Sequence, residues 1–118
     1  MNVIFEDSDG DLWYGTNNGI SVYDTRKQRW KHFLDNQENK AVILCFCEDK
    51  DGNIWTGGYG IGAFRIDKQS GKIHSLLHQK GANASGTFDA YHIYAMYADD
   101  ENLWLGSLDK SMIQYNLR

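Results

Sequence analysis

A motif built around tryptophan occurs three times in the sequence, and this repetition restricts the fold more than any other feature. The copies span residues 6–16, 48–58 and 98–107, and each combines an acidic turn, an aliphatic residue, tryptophan and, two residues later, glycine. The tryptophans of successive copies lie 42 and 49 residues apart. Periods of about 40 to 50 residues are typical of propeller blades or of solenoids made from helix pairs.

Turn residues favour the propeller over the helical solenoid. Asp9-Gly10 and Asp51-Gly52 each stand between apolar runs, which predicts a two-residue hairpin turn with positive φ at both positions. No window keeps the apolar spacing of three and four residues that a helix pair needs. Each unit is therefore predicted to be a four-stranded antiparallel blade.

Three such units are predicted within the chain. Blade 1 spans residues 2–34, blade 2 spans 42–77, and blade 3 spans 91–116 and lacks its outer strand. The predicted fold class is therefore all-β, a β-propeller fragment of about three blades. A closed propeller has about four to eight blades, so three units are too few to close a ring alone. The open blade faces are expected to pack against the remaining blades of a parent chain, or against another copy by self-association.

The composition excludes two classes of partner. The chain has 118 residues, 42% of them hydrophobic, and a formal net charge of −4, so it lacks the basic surface that nucleic-acid binding needs. No apolar run reaches the roughly 18 residues needed to span a bilayer. We therefore expect a globular domain with no nucleic-acid partner and no direct membrane insertion by this segment.

Two cysteines lie in the first strand predicted for blade 2. Cys45 and Cys47 are two residues apart, so their side chains point to the same face of a strand, with Ile43 beside them and Leu44 and Phe46 opposite. A disulfide between them would distort the strand. We expect two buried thiols, with a metal or redox pair as the alternative. Apolar residues on both faces indicate a strand that lies between neighbouring blades.

The complete pattern resembles a known family. In residues 6–24 the acidic turn, tryptophan and glycine are followed by Asn-Gly-Ile and then by Tyr-Asp. This pattern resembles the two-component regulator propeller repeat, and the resemblance covers nearly the whole chain. The third unit departs from it at residues 100–102, where Asp-Glu-Asn replaces the Asp-Gly turn.

The resemblance implies a function and a location. Such repeats occur in the periplasmic sensor region of hybrid two-component system proteins of Bacteroidetes, where they precede a membrane helix and a histidine kinase and respond to polysaccharide fragments. By resemblance, the chain is a periplasmic glycan-sensing module in signal transduction, with no catalysis of its own. Histidine kinase activity would belong to the parent protein. The alternatives are a structural or protein-binding propeller scaffold and, less favoured, a lyase-like propeller enzyme.

Most of the notable side chains have a structural interpretation. Each motif tryptophan is followed on the same face by glycine, which predicts packing between blades rather than sugar stacking. Asp7 and Asp49 lie beside tight turns and are expected to accept hydrogen bonds from turn amides rather than to bind calcium. The scattered histidines are interpreted as surface residues: His32, His74, His78 and His92. No catalytic residue, metal ligand or cofactor is predicted.

Alternating strand direction assigns the loops to two ends of each blade. The turn end carries the Asp-Gly turns, and the connection end carries the loops from second to third strands and the connections between blades. A ligand site is predicted at the connection end, with an aromatic ring for sugar stacking and four polar side chains for hydroxyl groups: Tyr59, Asn17, Asn18, Asn83 and Asp109. The alternative is that these are ordinary solvated loop residues.

Overall fold

The structure is a computed structural model and describes residues 2–33, 41–76, 92–108 and 111–117. Within these ranges the chain forms eleven β-strands and no helix. The strands make three antiparallel sheets, of four, four and three strands. The predicted all-β class, with three blade-like sheets of which the last lacks an outer strand, is confirmed.

Each sheet is built from strands that follow one another along the chain. Sheet 1 has the order β1-β2-β3-β4, with strands Val3–Glu6, Leu12–Thr16, Gly19–Asp24 and Arg29–Phe33. Sheet 2 has the order β5-β6-β7-β8, with strands Val42–Glu48, Ile54–Tyr59, Gly62–Ile66 and Ile73–Ser75. Sheet 3 has the order β9-β10-β11, with strands Ile93–Ala98, Asn102–Ser107 and Ser111–Asn116. The unit boundaries at 2–34, 42–77 and 91–116 stay a prediction, because the links between sheets lie outside the described residues.

The turns that join the first two strands of sheets 1 and 2 differ from the predicted type. Gly10 and Gly52 have φ of 87° and 84°, but Asp9 and Asp51 do not adopt positive φ. The amide of Gly10 donates to the carbonyl oxygen of Asp7 at 3.0 Å, which closes a four-residue turn ending in a left-handed glycine. The predicted two-residue turn is wrong because the loop is longer, so that only its last position needs the left-handed conformation.

Two hydrophobic cores hold the sheets together. In the core between sheets 1 and 2, Trp13 stacks on Phe33 with ring centroids 5.8 Å apart and tilts against Phe46 at 6.0 Å. In the core between sheets 2 and 3, Trp55 contacts Tyr115 at 6.1 Å. Trp13 is fully buried, and truncating so large a core side chain to alanine costs on the order of 3–5 kcal/mol of unfolding free energy. Sheet 2 is thus covered on both faces.

Strand β5 contributes to both cores because its register shifts between Ile43 and Cys45. Cys45 and Cys47 belong to the core with sheet 3, whereas Ile43 and Phe46 belong to the core with sheet 1. The expectation that Ile43 shares a face with the two cysteines is wrong, because a bulge at this point reverses the alternation of side chains. The strand is apolar on both faces, as predicted.

The glycine after each motif tryptophan allows the next sheet to approach closely. A Cβ atom added at Gly15 would lie 2.7 Å from Ile43 Cγ2, and one added at Gly57 would lie 2.6 Å from Ile93 Cγ2. Both distances are far below van der Waals contact, so the isoleucine of the next sheet occupies the space of the missing side chain. The predicted packing role of tryptophan and glycine is confirmed for sheets 1 and 2.

Candidate functional site

One aspartate in each sheet organises the turn end: Asp7, Asp49 and Asp99. In sheet 1 the Oδ1 atom of Asp7 accepts hydrogen bonds from the backbone amides of Asp9 and Asp11, each at 3.0 Å. In sheet 2, Asp49 accepts an equivalent pair of amide hydrogen bonds, both at 3.0 Å. The predicted turn-stabilising role of Asp7 and Asp49 is confirmed.

The second carboxylate oxygen of the same aspartates binds the motif tryptophan. The indole Nε1–H of Trp13 donates to Asp7 Oδ2 at 2.8 Å, and that of Trp55 donates to Asp49 Oδ2 at 2.8 Å. Sheet 3 repeats this bond between its own aspartate and tryptophan at 2.9 Å. The sequence interpretation missed these bonds, although the repeated order of aspartate and tryptophan was a usable signal. Each of the three indoles, buried for Trp13 and Trp55 and half-buried for Trp104, thereby satisfies its only donor within its own turn.

Lys68 joins sheet 2 to the turn of sheet 1. Its Nζ atom lies 2.7 Å from Asp7 Oδ2, 3.0 Å from Asp9 Oδ2 and 2.5 Å from Asp11 Oδ2. The Asp7 and Asp11 side chains are 1% and 7% exposed, and the Lys68 side chain is 22% exposed. One ammonium group therefore pairs with three carboxylates across the interface, two of them buried, and offsets one of their three negative charges. No local pattern indicates this contact, because Lys68 is 61 residues from Asp7 in sequence.

The ion pairs change the proton affinity of both partners. Burial alone would raise the pKa of Asp7, but hydrogen bonds from Lys68, Trp13 and the Asp11 amide hold it below its usual value. Burial alone would lower the pKa of Lys68, but hydrogen bonds to Asp11, Asp7 and Asp9 raise it above its usual value. Both groups therefore stay charged at neutral pH, as a buried ion pair requires.

The two interfaces between sheets differ at the turn end. Between sheets 1 and 2, Glu48 accepts hydrogen bonds from the amide and the hydroxyl of Ser8, at 2.9 and 2.6 Å. Between sheets 2 and 3, the strand register places Leu117 where sheet 2 has Lys68. Leu117 and Asp49 line a cavity of about 110 Å³, and a cleft of about 420 Å³ adjoins it. The first interface is bridged by polar contacts at this end and also borders a cleft of about 320 Å³ lined by Ser8, Glu48 and Lys68.

Asn17 and Asn18 form the turn between β2 and β3 at the connection end, and both are exposed. The Nδ2 group of Asn2 donates to Asn17 Oδ1 at 2.8 Å and to the carbonyl oxygen of Ile43 at 3.1 Å. The backbone amide of Asn18 donates to Thr16 Oγ1 at 3.0 Å. These bonds fix the turn and tie it to the first strand of sheet 2.

Tyr59 ends β6 at the same end, with 57% of its surface exposed. Its ring stacks on the imidazole of His92, with centroids 4.3 Å apart and an interplanar angle of 29°. The backbone amide of Gly60 donates to His92 Nδ1 at 2.9 Å and so fixes the imidazole. His92 is half-buried, and beyond the predicted surface position it contacts Tyr59 and Gly60 of sheet 2. His32 and His74 are exposed, as predicted.

The structure brings three of the five predicted ligand residues to one end of two adjacent sheets. Asn17 and Asn18 belong to sheet 1 and Tyr59 belongs to sheet 2. Asn83 and Asp109 lie outside the described residues. The ligand site as a whole therefore stays a prediction, to which the structure adds His92 as the support of the tyrosine ring.

The remaining candidates for chemistry are buried or dispersed. Cys45 and Cys47 are free and buried, as expected, and burial raises the pKa of both thiols to about 12, so they are poor nucleophiles at neutral pH. Within the described ranges, no group of three or more His, Cys, Asp or Glu side chains could hold a metal ion. None of these residues forms a helix with the length and apolarity needed to cross a membrane. His78 lies outside the described ranges.

The aspartate and tryptophan motif is that of a known repeat family. Residues 1–18 and 37–60 match the family model described as two component regulator propeller. These two segments of the chain are similar to two-component regulator propeller repeats. The matched segments contain the bonded aspartate and tryptophan of sheets 1 and 2, and the resemblance inferred from the sequence is confirmed.

Solved structures place these regulator propeller repeats among known propeller folds. The extracellular domain of the one component system BT4673 from B. thetaiotaomicron aligns with a TM-score of 0.72 and 21% identity, covering 96% of this chain and 15% of that one. The extracellular domain of the hybrid two component system BT3049 from B. thetaiotaomicron gives 0.70 and 20%, covering 98% and 14%. Virginiamycin B lyase from Staphylococcus aureus gives 0.64 and 18%, covering 99% and 41%. These likenesses show the fold.

The propeller repeats of this chain correspond to a small part of those proteins. The chain spans about 15% of the length of the B. thetaiotaomicron extracellular domains that it matches. A search of curated proteins found no match to the sequence.

Proposed function

We propose that the chain is the ligand-sensing propeller module of a hybrid two-component sensor, and that it binds an oligosaccharide at the connection end. The regulator propeller repeats support the sensor class, and two structures with the same fold are extracellular domains of one-component and hybrid two-component systems. The same neighbours support an extracytoplasmic, periplasmic location. Kinase activity belongs, on this proposal, to a parent protein.

The Tyr59 ring is the observation that carries the glycan proposal. The ring stacks on the imidazole of His92 while more than half of the tyrosine is exposed, so the ring is held in one orientation before any ligand binds. A fixed aromatic face suits the apolar face of a pyranose ring, because little conformational entropy is lost on binding. Asn17 and Asn18 supply exposed amide groups at the same end, and Asn83 and Asp109 complete the proposed set of hydroxyl-binding side chains.

Binding to a panel of oligosaccharides, measured by isothermal titration calorimetry, tests the proposal. We expect one glycan class to bind, and we expect the Tyr59→Ala, Asp109→Ala double variant to lose about tenfold or more in affinity, since stacking and a polar contact are each worth about 1 kcal/mol. His74→Ala is the control, because His74 is an exposed ring side chain outside the proposed site.

Equal binding by the wild type and the folded double variant would contradict this site. Failure of every glycan to bind, together with capture of a purified protein partner, would favour a protein-binding scaffold instead. Both variants are checked by far-UV circular dichroism, so that a folding defect is not mistaken for a loss of affinity.

A lyase-like enzyme is the second candidate, favoured by the fold likeness to virginiamycin B lyase. We propose that the chain is not catalytic, because the described histidines are dispersed over different strands and sheets. Incubation with quinupristin, followed by mass spectrometry, tests this directly: we expect no product, and the appearance of an opened product would replace the sensing proposal.

A further inference from the structure

The outer face of sheet 3 repeats a binding surface that the chain fills twice elsewhere. In the first interface Ile43 lies over Gly15, and in the second Ile93 lies over Gly57. Sheet 3 has the same tryptophan and glycine, but a Cβ atom added at Gly106 would meet only its own sheet, at 3.4 Å or more. Among the described residues, the Tyr94 ring of the same sheet lies beside this position, which in the other two sheets is occupied by an isoleucine of the next sheet.

Exposed apolar side chains surround this position. Tyr97 pairs with Trp104 across the sheet and is 66% exposed, Met112 pairs with Gly106 and is 71% exposed, and Tyr94 is 48% exposed. The other face of the same sheet, which contacts sheet 2, contains the fully buried Leu103 and Leu105. The contrast shows that this face is apolar and lacks a cover within the described part of the chain. We name it the tail face, defined by Tyr94, Tyr97, Trp104, Gly106 and Met112.

Sheet 1 has the complementary open face at the opposite end of the stack. Ile4 is 57% exposed and Trp30 is 54% exposed, and Trp30 packs against Tyr14 and Tyr23 with ring centroids 5.6 and 4.9 Å apart. The equivalent face of sheet 2 is the one that packs against sheet 1. Its Phe46 has the same strand register as Ile4 and is buried in that core. We name this surface the head face, defined by Ile4, Tyr14, Tyr23 and Trp30.

The charges beside the two faces are complementary. At the first interface, Lys68 from the loop between β7 and β8 reaches the acidic turn of the preceding sheet. The equivalent loop of sheet 1, between β3 and β4, has Thr25 at the register of Lys68, followed by the basic Arg26 and Lys27. The turn of sheet 3 carries Asp99 and Asp100. A head face placed on a tail face would thus bring basic groups to an acidic turn, as the first interface does.

We propose that the tail face binds the head face of a second copy of this chain. The two faces correspond in register to the two halves of an interface that the chain already forms twice, although the head face has no isoleucine at the register of Ile43 among its described residues. They hold five of the seven large hydrophobic residues that are exposed within the described ranges. Contacts of this kind are head to tail, and they form either rings or open filaments. Two copies contribute six sheets, a number within the range of closed propellers, so we infer a closed dimer. This inference does not depend on the proposed function.

Complementation between two variants tests the proposal. Ile4→Lys blocks the head face and Tyr97→Lys blocks the tail face, and both positions are exposed, so each variant keeps its internal packing. Leu108→Lys is the matched control, because Leu108 is 67% exposed outside both faces. Masses are measured by multi-angle light scattering over a concentration series of the full chain, with far-UV circular dichroism as the check on folding.

We expect the wild type and the control to have the mass of a dimer, and each blocked variant alone to have the mass of a monomer. An equimolar mixture of the two blocked variants should regain dimers, because each still offers the face that the other lacks. A wild type that stays monomeric up to its solubility limit overturns the proposal. A blocked variant that still dimerises alone also overturns the proposal, because its dimer must form through a contact that does not need both faces. If either lysine variant misfolds, Trp30→Lys and Met112→Lys replace it.

Discussion

The interface between sheets 1 and 2 and the interface between sheets 2 and 3 share their apolar packing. In both, an isoleucine from the first strand of the later sheet occupies the space beside a glycine: Ile43 at Gly15 and Ile93 at Gly57. In both, a motif tryptophan contacts an aromatic residue, and its indole is hydrogen-bonded to an aspartate. The part of each interface that lies within the repeat motif is therefore the same.

The polar contacts at the turn end distinguish the two interfaces. The first is bridged by Lys68 with three aspartates and by Glu48 with Ser8. The second has Leu117 and Ala98 at the corresponding positions. The motif therefore supplies the apolar part of both interfaces, whereas residues outside the motif determine which ion pairs and hydrogen bonds join the sheets at the turn end.

Removing the ammonium group should have the largest effect on this comparison. Lys68→Met leaves the buried Asp7 and Asp11 carboxylates without a cation, and we expect a loss of about 2–3 kcal/mol in the free energy of unfolding. Lys50→Met, which removes an exposed lysine at the second interface, should change it by no more than about 0.5 kcal/mol. Urea unfolding at one fixed protein concentration measures both. Equal effects of the two substitutions would contradict the asymmetry.

Adding one methyl group beside the isoleucines should affect both interfaces alike. Gly15→Ala and Gly57→Ala force the added carbon against Ile43 and Ile93, and overpacking of this kind costs about 1–3 kcal/mol in each case. Gly106→Ala should be near neutral, because its added carbon meets ordinary contacts at 3.4 Å or more. The same urea measurements test this, and a large difference between the first two variants would show that the apolar packing is not shared.

Acid should weaken the first interface selectively, and this effect is the smallest because it comes from one carboxyl. The pKa of Asp7 is lower in the folded chain than its usual value, so the stabilisation is complete above about pH 4–5 and is lost as the pH falls through the folded pKa. We expect the difference in unfolding free energy between wild type and Asp7→Asn to shrink between pH 6 and pH 3. A difference that is constant over this range would contradict the role of the ion pair.

The sequence was sufficient to predict what is local to one unit. The all-β class, the turn-stabilising Asp7 and the pairing of tryptophan with a small neighbour all follow from the motif, because each depends on residues within about ten positions. The type of turn was wrong because the Asp-Gly pair alone does not fix loop length. The candidate site could be placed at one end of the sheets from the alternating direction of the strands, but the sequence did not give the conformation of its loops.

Contacts between units could not be predicted, because they depend on how two sheets are placed against each other. Lys68 and His92 act on residues 61 and 32 positions away, and neither belongs to the motif. The bulge in β5 moves Ile43 to the other core, and no signal in that run of apolar residues marks it. Such features become visible only when the register of each strand is known.

The hydrogen bond between aspartate and indole holds one intrinsic fluorophore, a tryptophan, at the turn of every sheet. Trp13, Trp55 and Trp104 each report on one sheet, and their emission shifts to longer wavelength when the indole leaves its turn and meets water. Trp30, which is exposed, adds a background that a phenylalanine at this position removes. Variants that each keep one of these three tryptophans thus allow the order in which the sheets separate to be followed without any attached dye.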